Sequence, residues 1–341
     1  MQSGDVDNNN LAKKLSEATM FARDLVNMPP SDCTPKYLVS VCQNLGEKTN
    51  NIEVQVFDKK GLEDLNANGI LCVGKGSSES PYFVKLTYHP KKANTRTKLK
   101  KIALIGKGVT SDSGGLSLKP GDMMALMKCD MSGVGAVIAA MRCISELDLN
   151  IEVSAYLPLA ENVINGSAMK PGDVVRTLSG KTVEIKNTDC EGRLLLADAL
   201  ALATRDNPDE IINLATLTYS SIVALGDVYG AIFSNNDELA CELINAGEIE
   251  GERLWRMPLP KDYGECNRSP IADLTNCPDM FGGAIAAALF LKEFIPDNSK
   301  WAHIDISGVV MSKDEKFHQS IGATGYGARL LMRYLIQMTE I

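Results

Sequence analysis

The sequence lacks the marks of several large classes of protein. It contains no run of 18 apolar residues, so no membrane span is expected. Its first residues do not follow the basic and then apolar order of a signal peptide. Its net charge of −8 argues against a nucleic-acid-binding protein, which needs a basic surface. The sequence shows no internal repeat and no low-complexity tract.

Cysteine and histidine form no recognisable pattern. The nine cysteines are an odd number and contain no C-x-x-C pair, which indicates reduced thiols and a cytoplasmic location. The three histidines, His89, His303 and His318, lie in no motif. The sequence therefore favours chemistry that does not use a histidine base.

Apolar segments alternate in the way that is typical of an α/β protein. With 341 residues and 45% hydrophobic content, the chain can bury one large core or two smaller ones. Helices are predicted at 11–26, 132–146 and 194–204, and an exposed hairpin loop at 91–101. Strands are predicted at 54–57, 70–73, 82–86, 102–106, 151–157, 181–187, 211–215, 229–233 and 301–306. This order predicts a mixed, mainly parallel sheet between two layers of helices.

One group of charged residues lies between the predicted strand 181–187 and the helix that follows it. Asp189, Glu191 and Arg193 are spaced two residues apart. Ligands of open α/β sheets bind beyond the carboxyl ends of the strands, which is where this group is expected. Two carboxylates with this spacing are also common in solvated loops, so this group alone does not indicate a site.

A second group follows the predicted strand 102–106. It holds Lys107, Asp112, Lys119 and Asp130 in a glycine-rich stretch, which taken alone is also typical of a surface turn. Were the two groups to meet, four carboxylates would share a small site, and they could not all be ionised without compensating positive charge. Two divalent cations would supply that charge and serve as a template for hydrolysis.

A near match to a phosphate-binding loop lies at Gly69–Ser77. Gly76 stands where the G-x-x-x-x-G-K-[ST] pattern needs a serine or threonine, and the middle of the segment is predicted to be a strand. A nucleotide-binding α/β protein is thus a minor alternative, in which ATP would protect Lys75.

Residues 107–119, 127–130 and 187–193 together resemble the signature of the leucyl aminopeptidase family, the two-metal cytosolic aminopeptidases. Further segments that resemble the family lie at 21–29, 161–173, 214–218, 282–285, 301–305 and 322–325, so the resemblance runs through nearly the whole chain. It implies an α/β/α catalytic domain over 1–341, with the metal site at the carboxyl edge of the strands. Residues 1–30 would be a joining helix, and the N-terminal domain of the family is expected to be absent.

The resemblance implies two divalent cations held by Lys107, Asp112, Asp130, Asp189 and Glu191. One cation would bind Asp112, Asp189 and Glu191, and the other Lys107, Asp112, Asp130 and Glu191. The family typically uses zinc with an exchangeable second site, whereas the oxygen-rich ligand set favours manganese, magnesium or cobalt on ligand softness. Lys107 can be a ligand only when neutral, so burial and the cations must lower its pKa.

The resemblance also implies the reaction, which is removal of N-terminal residues from short peptides by a hydroxide that bridges the cations. Lys119 would polarise the scissile carbonyl, and Arg193 would hold a bicarbonate that acts as the base. Met127 resembles an apolar pocket position and Met123 lies four residues earlier, which favours Leu-like or Met-like residues, although both methionines could instead pack in the core. The substrate-contacting segment would include Thr216, Leu217 and Tyr219.

Several residues depart from the family pattern. Tyr219 stands at a usual glycine, Ser111 at a usual phenylalanine and Cys190 at a usual alanine, and Pro278–Phe281 differs from the usual run. None of these changes removes a ligand, so catalysis is expected, while the substrate range is open. The alternative is a weak or inactive member that binds peptides as a scaffold. The resemblance also implies a homo-hexamer.

Overall fold

The computed structural model describes residues 8–91, 99–278, 281–315 and 320–339. The helices are α1 (Asn8–Asn27), α2 (Pro35–Lys48), α3 (Lys59–Leu65), α4 (Asn68–Gly74), α5 (Gly121–Met124), α6 (Ser132–Leu147), α7 (Gly192–Arg205), α8 (Tyr219–Leu225), α9 (Asp237–Glu250), α10 (Gly283–Lys292) and α11 (Ala328–Thr339). Short 3-10 helices cover Met127–Met131 and Lys261–Asn267. Most of the predicted loop at 91–101, and His318, lie outside the described residues.

The strands alternate with these helices along the chain. They are β1 (Ile52–Phe57), β2 (Tyr82–Tyr88), β3 (Lys101–Gly106), β4 (Gly108–Asp112), β5 (Glu152–Asn162), β6 (Val174–Arg176), β7 (Thr182–Glu184), β8 (Glu210–Ala215), β9 (Gly230–Ser234), β10 (Leu254–Arg256), β11 (Leu274–Thr275), β12 (Lys300–Asp305), β13 (Met311–Ser312) and β14 (Gly322–Ala323).

Nine strands of the described residues form the central sheet, in the order β1-β2-β5-β3-β8-β12-β9-β10, with β4 paired to β5. Its centre is parallel, because β3 pairs in parallel with both β5 and β8, and β8 with β12. Antiparallel pairs occur towards the edges, at β1–β2, β2–β5 and β9–β12. The predicted mixed, mainly parallel sheet is confirmed.

Helices cover both faces of this sheet, and an apolar core lies on each side. The first core includes residues of α1, α6, α9 and α11, and the second includes residues of α4, α7 and α10. Nearly every residue of α6 is buried, as expected for a helix in which only Arg142 and Glu146 are charged. It reaches the sheet closely because Gly133 has no Cβ, which would lie 2.3 Å from the Leu214 carbonyl oxygen. The predicted α/β/α layering is confirmed.

None of the helices in the described ranges combines the length and the apolar character required to cross a bilayer.

The predicted strand at 70–73 is wrong, because these residues lie in helix α4. Five of its seven residues are buried, so the helix has little polar face and its sequence carries no helical period. Its first turn is held by Asp198, whose Oδ2 accepts a hydrogen bond of 3.0 Å from the Ile70 amide. Gly74 is thus the last residue of a helix and Lys75 follows that helix, so no strand leads into this segment and the structural basis of a phosphate-binding loop is removed.

The predicted strand at 181–187 is only partly correct. Its regular part is β7, which belongs to a separate three-stranded sheet with β6 and β11. Alternation of apolar and polar residues predicts a half-buried strand but not the sheet to which it belongs. Asp189 and Glu191 therefore approach the central sheet from a small neighbouring sheet and not from the end of a central strand.

Candidate metal centre

Lys107 lies directly after β3 and is held between the sheet and two helices. The Lys107 amide donates a hydrogen bond of 3.0 Å to the Leu214 carbonyl, and the Lys107 carbonyl accepts one of 3.0 Å from the Val134 amide. Its side chain runs past the start of α7, where a Cβ on Gly192 would lie 2.4 Å from the lysine Cε. Residue 192 must therefore be glycine, because any larger residue would overlap the buried side chain of Lys107.

The amine of Lys107 contacts three oxygen atoms. Its Nζ lies 2.6 Å from Asp130 Oδ1 and 2.9 Å from Glu191 Oε1, and it donates to the Thr216 carbonyl at 2.9 Å. Burial lowers the pKa of Lys107, but the charges of the carboxylates around it raise the pKa more, so that it lies above its usual value. A neutral Lys107 would therefore need additional positive charge close by.

Asp112 stands at the end of β4 and is fully partnered. Its Oδ1 accepts from the Gly114 amide and from Asn162 Nδ2, both at 2.9 Å. Its Oδ2 lies 2.9 Å from the Nζ of Lys119, which also pairs with Asp189. Burial lowers the pKa of Lys119, but the neighbouring carboxylates raise it above its usual value, so the side chain carries a charge.

The predicted acidic groups converge. One oxygen each from Asp112, Asp189 and Glu191 lies within 4.8 Å of the others. Asp130 belongs to the same cluster, because Lys107 pairs with both Asp130 and Glu191. Burial is the largest cause of the raised pKa values of Asp130, Asp189 and Glu191. Four carboxylates thus face two lysines, which leaves excess negative charge when all are ionised.

Two buried carboxylate oxygens in this cluster, Asp130 Oδ2 and Glu191 Oε2, have neither a hydrogen-bond partner nor an ion-pair partner among the described residues, whereas Asp189 Oδ1 is paired with Lys119. A buried carboxylate oxygen without a partner is costly, and coordination of a cation satisfies it. The excess of negative charge and the oxygen-rich donors both suit hard divalent cations. The residues present therefore fit a metal centre.

Two further residues connect the loops that carry the acids, and the sequence prediction did not assign them to the site. Asn162, at the end of β5, donates to the Thr188 carbonyl at 3.0 Å as well as to Asp112. Thr188 Oγ1 donates to the Gly114 carbonyl at 2.6 Å. The available signal for Asn162 was its place shortly after the predicted strand 151–157, on the side of that strand's carboxyl end.

Asp305 also holds a loop of the site in place through side-chain hydrogen bonds. It ends β12, accepts a hydrogen bond of 2.7 Å from Thr218 Oγ1, and accepts another of 3.3 Å from the Leu217 amide. It therefore holds the loop that follows β8, and its strand-end position was again the available signal.

A cavity of about 390 Å³ opens onto the acidic cluster. All the predicted site residues line it, namely Lys107, Asp112, Lys119, Met123, Met127, Asp130, Asp189, Glu191, Arg193, Thr216, Leu217 and Tyr219. Met123 is 40% exposed and Tyr219 is 67% exposed, so neither side chain is a core residue. A larger cavity, of about 640 Å³, lies beside α4 and contains none of the predicted site residues.

Arg193 is buried in the first turn of α7 and also faces the cavity. Its guanidinium carbon lies 5.8 Å from the centre of the Phe290 ring. Its Nε and Nη1 are buried without a hydrogen-bond partner. Unpartnered guanidinium donors at a helix N-terminus form a suitable site for a small anion.

Known proteins share this fold and sequence. A probable cytosol aminopeptidase of Chlorobium limicola is 46% identical over 316 residues, which are 92% of this chain and 61% of that protein. A probable cytosol aminopeptidase of Streptomyces coelicolor is 45% identical over 94% of this chain and 61% of its own length. The chain thus spans about three fifths of the length of these relatives.

A solved structure is similar over almost the whole chain. The bottromycin maturation enzyme BotP in complex with Mn superimposes with a TM-score of 0.92 and 39% identity, covering 98% of this chain and 73% of that one. Residues 20–332 match the catalytic domain of the cytosol aminopeptidase family. The chain belongs to the cytosol aminopeptidase family.

Proposed function

We propose that the protein is a metal-dependent aminopeptidase that removes N-terminal residues from short peptides. The observation that carries this proposal is the convergence of four carboxylates and two lysines on one cavity, with two buried carboxylate oxygens left unpartnered. Family membership supports the same reaction class.

The proposed ligands are those predicted from the sequence, Lys107, Asp112, Asp130, Asp189 and Glu191. When bound, divalent cations act as Lewis acids and activate water at neutral pH. The relative with manganese makes that metal a reasonable first choice, with zinc, magnesium and cobalt as the others. Thr216 would keep Asp130 oriented, since its Oγ1 donates to Asp130 Oδ1 at 2.7 Å.

Two basic residues would act on the substrate directly. The charged Lys119 ammonium lies at the cavity wall, where it would stabilise negative charge that develops on the scissile carbonyl oxygen. The open donors of Arg193 would hold a bicarbonate, which would accept the proton of the attacking water.

The cavity favours apolar N-terminal residues. Met123 and Met127 lie on its wall and can adapt to Leu-like or Met-like side chains. Tyr219 lies at its exposed rim, where it would limit the width of the substrate. The departures at Ser111, Cys190 and Tyr219 leave Lys119 and Arg193 facing the cavity, so no observation among the described residues favours a peptide-binding scaffold.

We also propose that the chain acts as one catalytic domain in a cytoplasmic homo-hexamer. A single central sheet with helices on both faces supports the domain assignment. The assembly is tested by the mass of the purified protein in solution, for which six chains of 36.9 kDa are expected.

The direct test is hydrolysis of Leu-amide and Met-amide after the protein is loaded with Mn²⁺, Zn²⁺ or Co²⁺. We expect metal-dependent turnover that falls about 100- to 1,000-fold in Lys119→Ala, because a preorganised charge at the carbonyl is lost. Lys60→Ala is the matched control, since Lys60 is exposed and forms an ion pair with the exposed Asp64. Turnover that is absent under every metal, or equal in Lys119→Ala and Lys60→Ala, would contradict the proposal.

A further inference from the structure

Two cysteines lie together in the wall of the cavity. The thiols of Cys190 and Cys277 are joined by a side-chain hydrogen bond, and both residues are partly exposed and line the same cavity as the acidic cluster. Cys190 stands between Asp189 and Glu191 in the chain, whereas Cys277 belongs to the segment between β11 and α10.

The two segments are held together by more than this contact. The buried Asn276 donates from Nδ2 to the Asn187 carbonyl at 2.6 Å and to the Cys190 carbonyl at 3.3 Å. Its Oδ1 accepts from the Lys186 amide at 2.9 Å. The residue that precedes Cys277 is therefore bonded directly to the backbone of the segment that carries Cys190, which holds the two thiols near each other.

The other cysteines differ in their surroundings. Five are buried, Cys241 is exposed on α9, and Cys266 donates to the Tyr263 carbonyl. Among them, only the buried Cys129 shares the cavity with the pair. A small reagent can reach the pair from solvent, since both residues are partly exposed and line this cavity.

We propose that Cys190 and Cys277 are a modification site, at which a peroxide converts the two thiols into a reversible disulfide. The Cys277 sulfur attacks the peroxide and becomes a sulfenic acid, with release of one molecule of water, because the contact with Cys277 and burial raise the pKa of the Cys190 thiol and make it the poorer nucleophile. The second thiol attacks the sulfenic sulfur, so that the S–S bond forms and a second water leaves with its oxygen. Two thiols are oxidised by two electrons in total, and hydrogen peroxide is reduced to two molecules of water.

Bond formation draws the sulfur atoms to about 2 Å from each other, which is closer than any hydrogen-bonded pair. The movement pulls on the backbone between Asp189 and Glu191, two of the proposed metal ligands. We therefore expect the disulfide to weaken cation binding and to lower turnover. This consequence rests on the proposed function, whereas formation of the disulfide does not.

The test is peptide mapping of the full chain after treatment with hydrogen peroxide and then an alkylating reagent. Trypsin places Cys190 in residues 187–193 and Cys277 in residues 269–292, and each of these peptides holds one cysteine. We expect a linked pair of these two peptides, a fall of at least tenfold in Mn²⁺-dependent hydrolysis of Leu-amide, and recovery of both with dithiothreitol. Oxidised methionines would not recover with this reagent.

Variants complete the experiment. Cys277→Ala and Cys190→Ala should form no linked peptide, and peroxide should change the turnover of each by less than twofold relative to its own untreated form. Cys241→Ala should respond as the wild type does, because this cysteine is exposed on α9. The proposal is overturned if the linked peptide does not form, if Cys277 links to Cys266 instead, or if linkage leaves turnover unchanged. A protein without turnover in any form contradicts the proposed function alone, since the linked peptides still decide the disulfide.

Discussion

The protonation state of His303 follows from its neighbours. Trp301 Nε1, which can only be a hydrogen-bond donor, donates a hydrogen bond of 2.8 Å to Asn213 Oδ1. The amide nitrogen of Asn213 therefore faces His303 Nδ1, at 2.7 Å, and this ring nitrogen must accept. The ring is fully buried and stacked against Phe233, with ring centres 5.8 Å apart. Burial lowers the pKa of His303 to about 4, so the side chain is neutral at pH 7.

We predict that the free energy of unfolding falls as the pH is lowered from 7 to 4.5, in part because of this residue. The folded pKa lies below the ordinary value of 6.5, so the unfolded chain binds the proton first and stability is lost as the pH falls. The His303 contribution amounts to about 2 to 3 kcal/mol over this interval. Urea unfolding should therefore show a weaker pH dependence in His303→Gln, whereas His89→Gln, at an exposed histidine, should follow the wild type. Parallel pH curves for all three proteins would show the prediction to be wrong.

Helix α4 is an element whose type is decided by a distant residue. Asp198 on α7 is fully buried and accepts hydrogen bonds from the Ile70 amide at 3.0 Å and the Leu178 amide at 2.7 Å. Gly69 permits the close approach of the two helices, because a Cβ there would lie 2.5 Å from the Leu194 carbonyl oxygen. An apolar stretch of four residues is compatible with a strand, but these contacts are available only to a helix start.

We predict that Asp198→Ala destabilises the protein more at pH 5 than at pH 8. Burial raises the pKa of Asp198 to about 7, so its contribution to stability is present at low pH and is lost as the pH rises through 7. The loss on substitution should thus be larger at pH 5 by about 2 kcal/mol, and the two unpartnered amides should add a cost at both values. Asp64→Ala, at an exposed acid paired with Lys60, should change unfolding by less than about 0.5 kcal/mol at either pH. Equal losses at the two pH values would contradict the raised pKa.

At the scale of the whole molecule, the proposed metal centre joins parts of the chain that are far apart in sequence. The central sheet supplies Lys107 and Asp112 at its edge, the short helix at 127–131 supplies Asp130, and the small sheet leads to Asp189 and Glu191. Excess negative charge at their junction opposes the folded state, and a bound cation would relieve it. Cation binding should therefore stabilise the fold as a whole.

We predict that Mn²⁺ raises the thermal unfolding midpoint by a few degrees, with a shift that grows with metal concentration and is reversed by a chelator. Binding to the folded state alone contributes about 2.7 kcal/mol at 100 times the dissociation constant. Asp189→Asn should reduce the shift, because it removes a proposed ligand, whereas Asp64→Asn should retain it. The measurement is differential scanning calorimetry with and without metal. A full shift in Asp189→Asn would argue against the proposed ligand set.

The central strands and three of the longer helices could be predicted from the chain, because long periodic segments carry their own signal. Such signals exist for α1, α6, α7 and the strands at the centre of the sheet. Predictions for short segments failed where the contacts of the segment are non-local. Residues 70–73 form a helix whose first turn is bonded to Asp198, and the strand in 181–187 belongs to the three-stranded sheet. The predicted site residues all reach one cavity, yet Asn162, Thr188 and Asp305 were not assigned to it. Their role depends on side-chain hydrogen bonds between loops, which no spacing in the sequence encodes.

The sequence by itself determined the candidate chemical groups, because the segments 107–130 and 187–193 contain the acids, two lysines and an arginine, and the family resemblance of these segments implied the reaction. Only the tertiary structure decided that these groups meet and which carboxylate oxygens remain unpartnered. It also decided that the side chain of Lys107 lies against Gly192. It also placed Cys190 against Cys277, which lie 87 positions apart in the chain. The physical reason is that charge balance, burial and thiol contact depend on distances across the fold, and these exist only once the sheets and helices have packed.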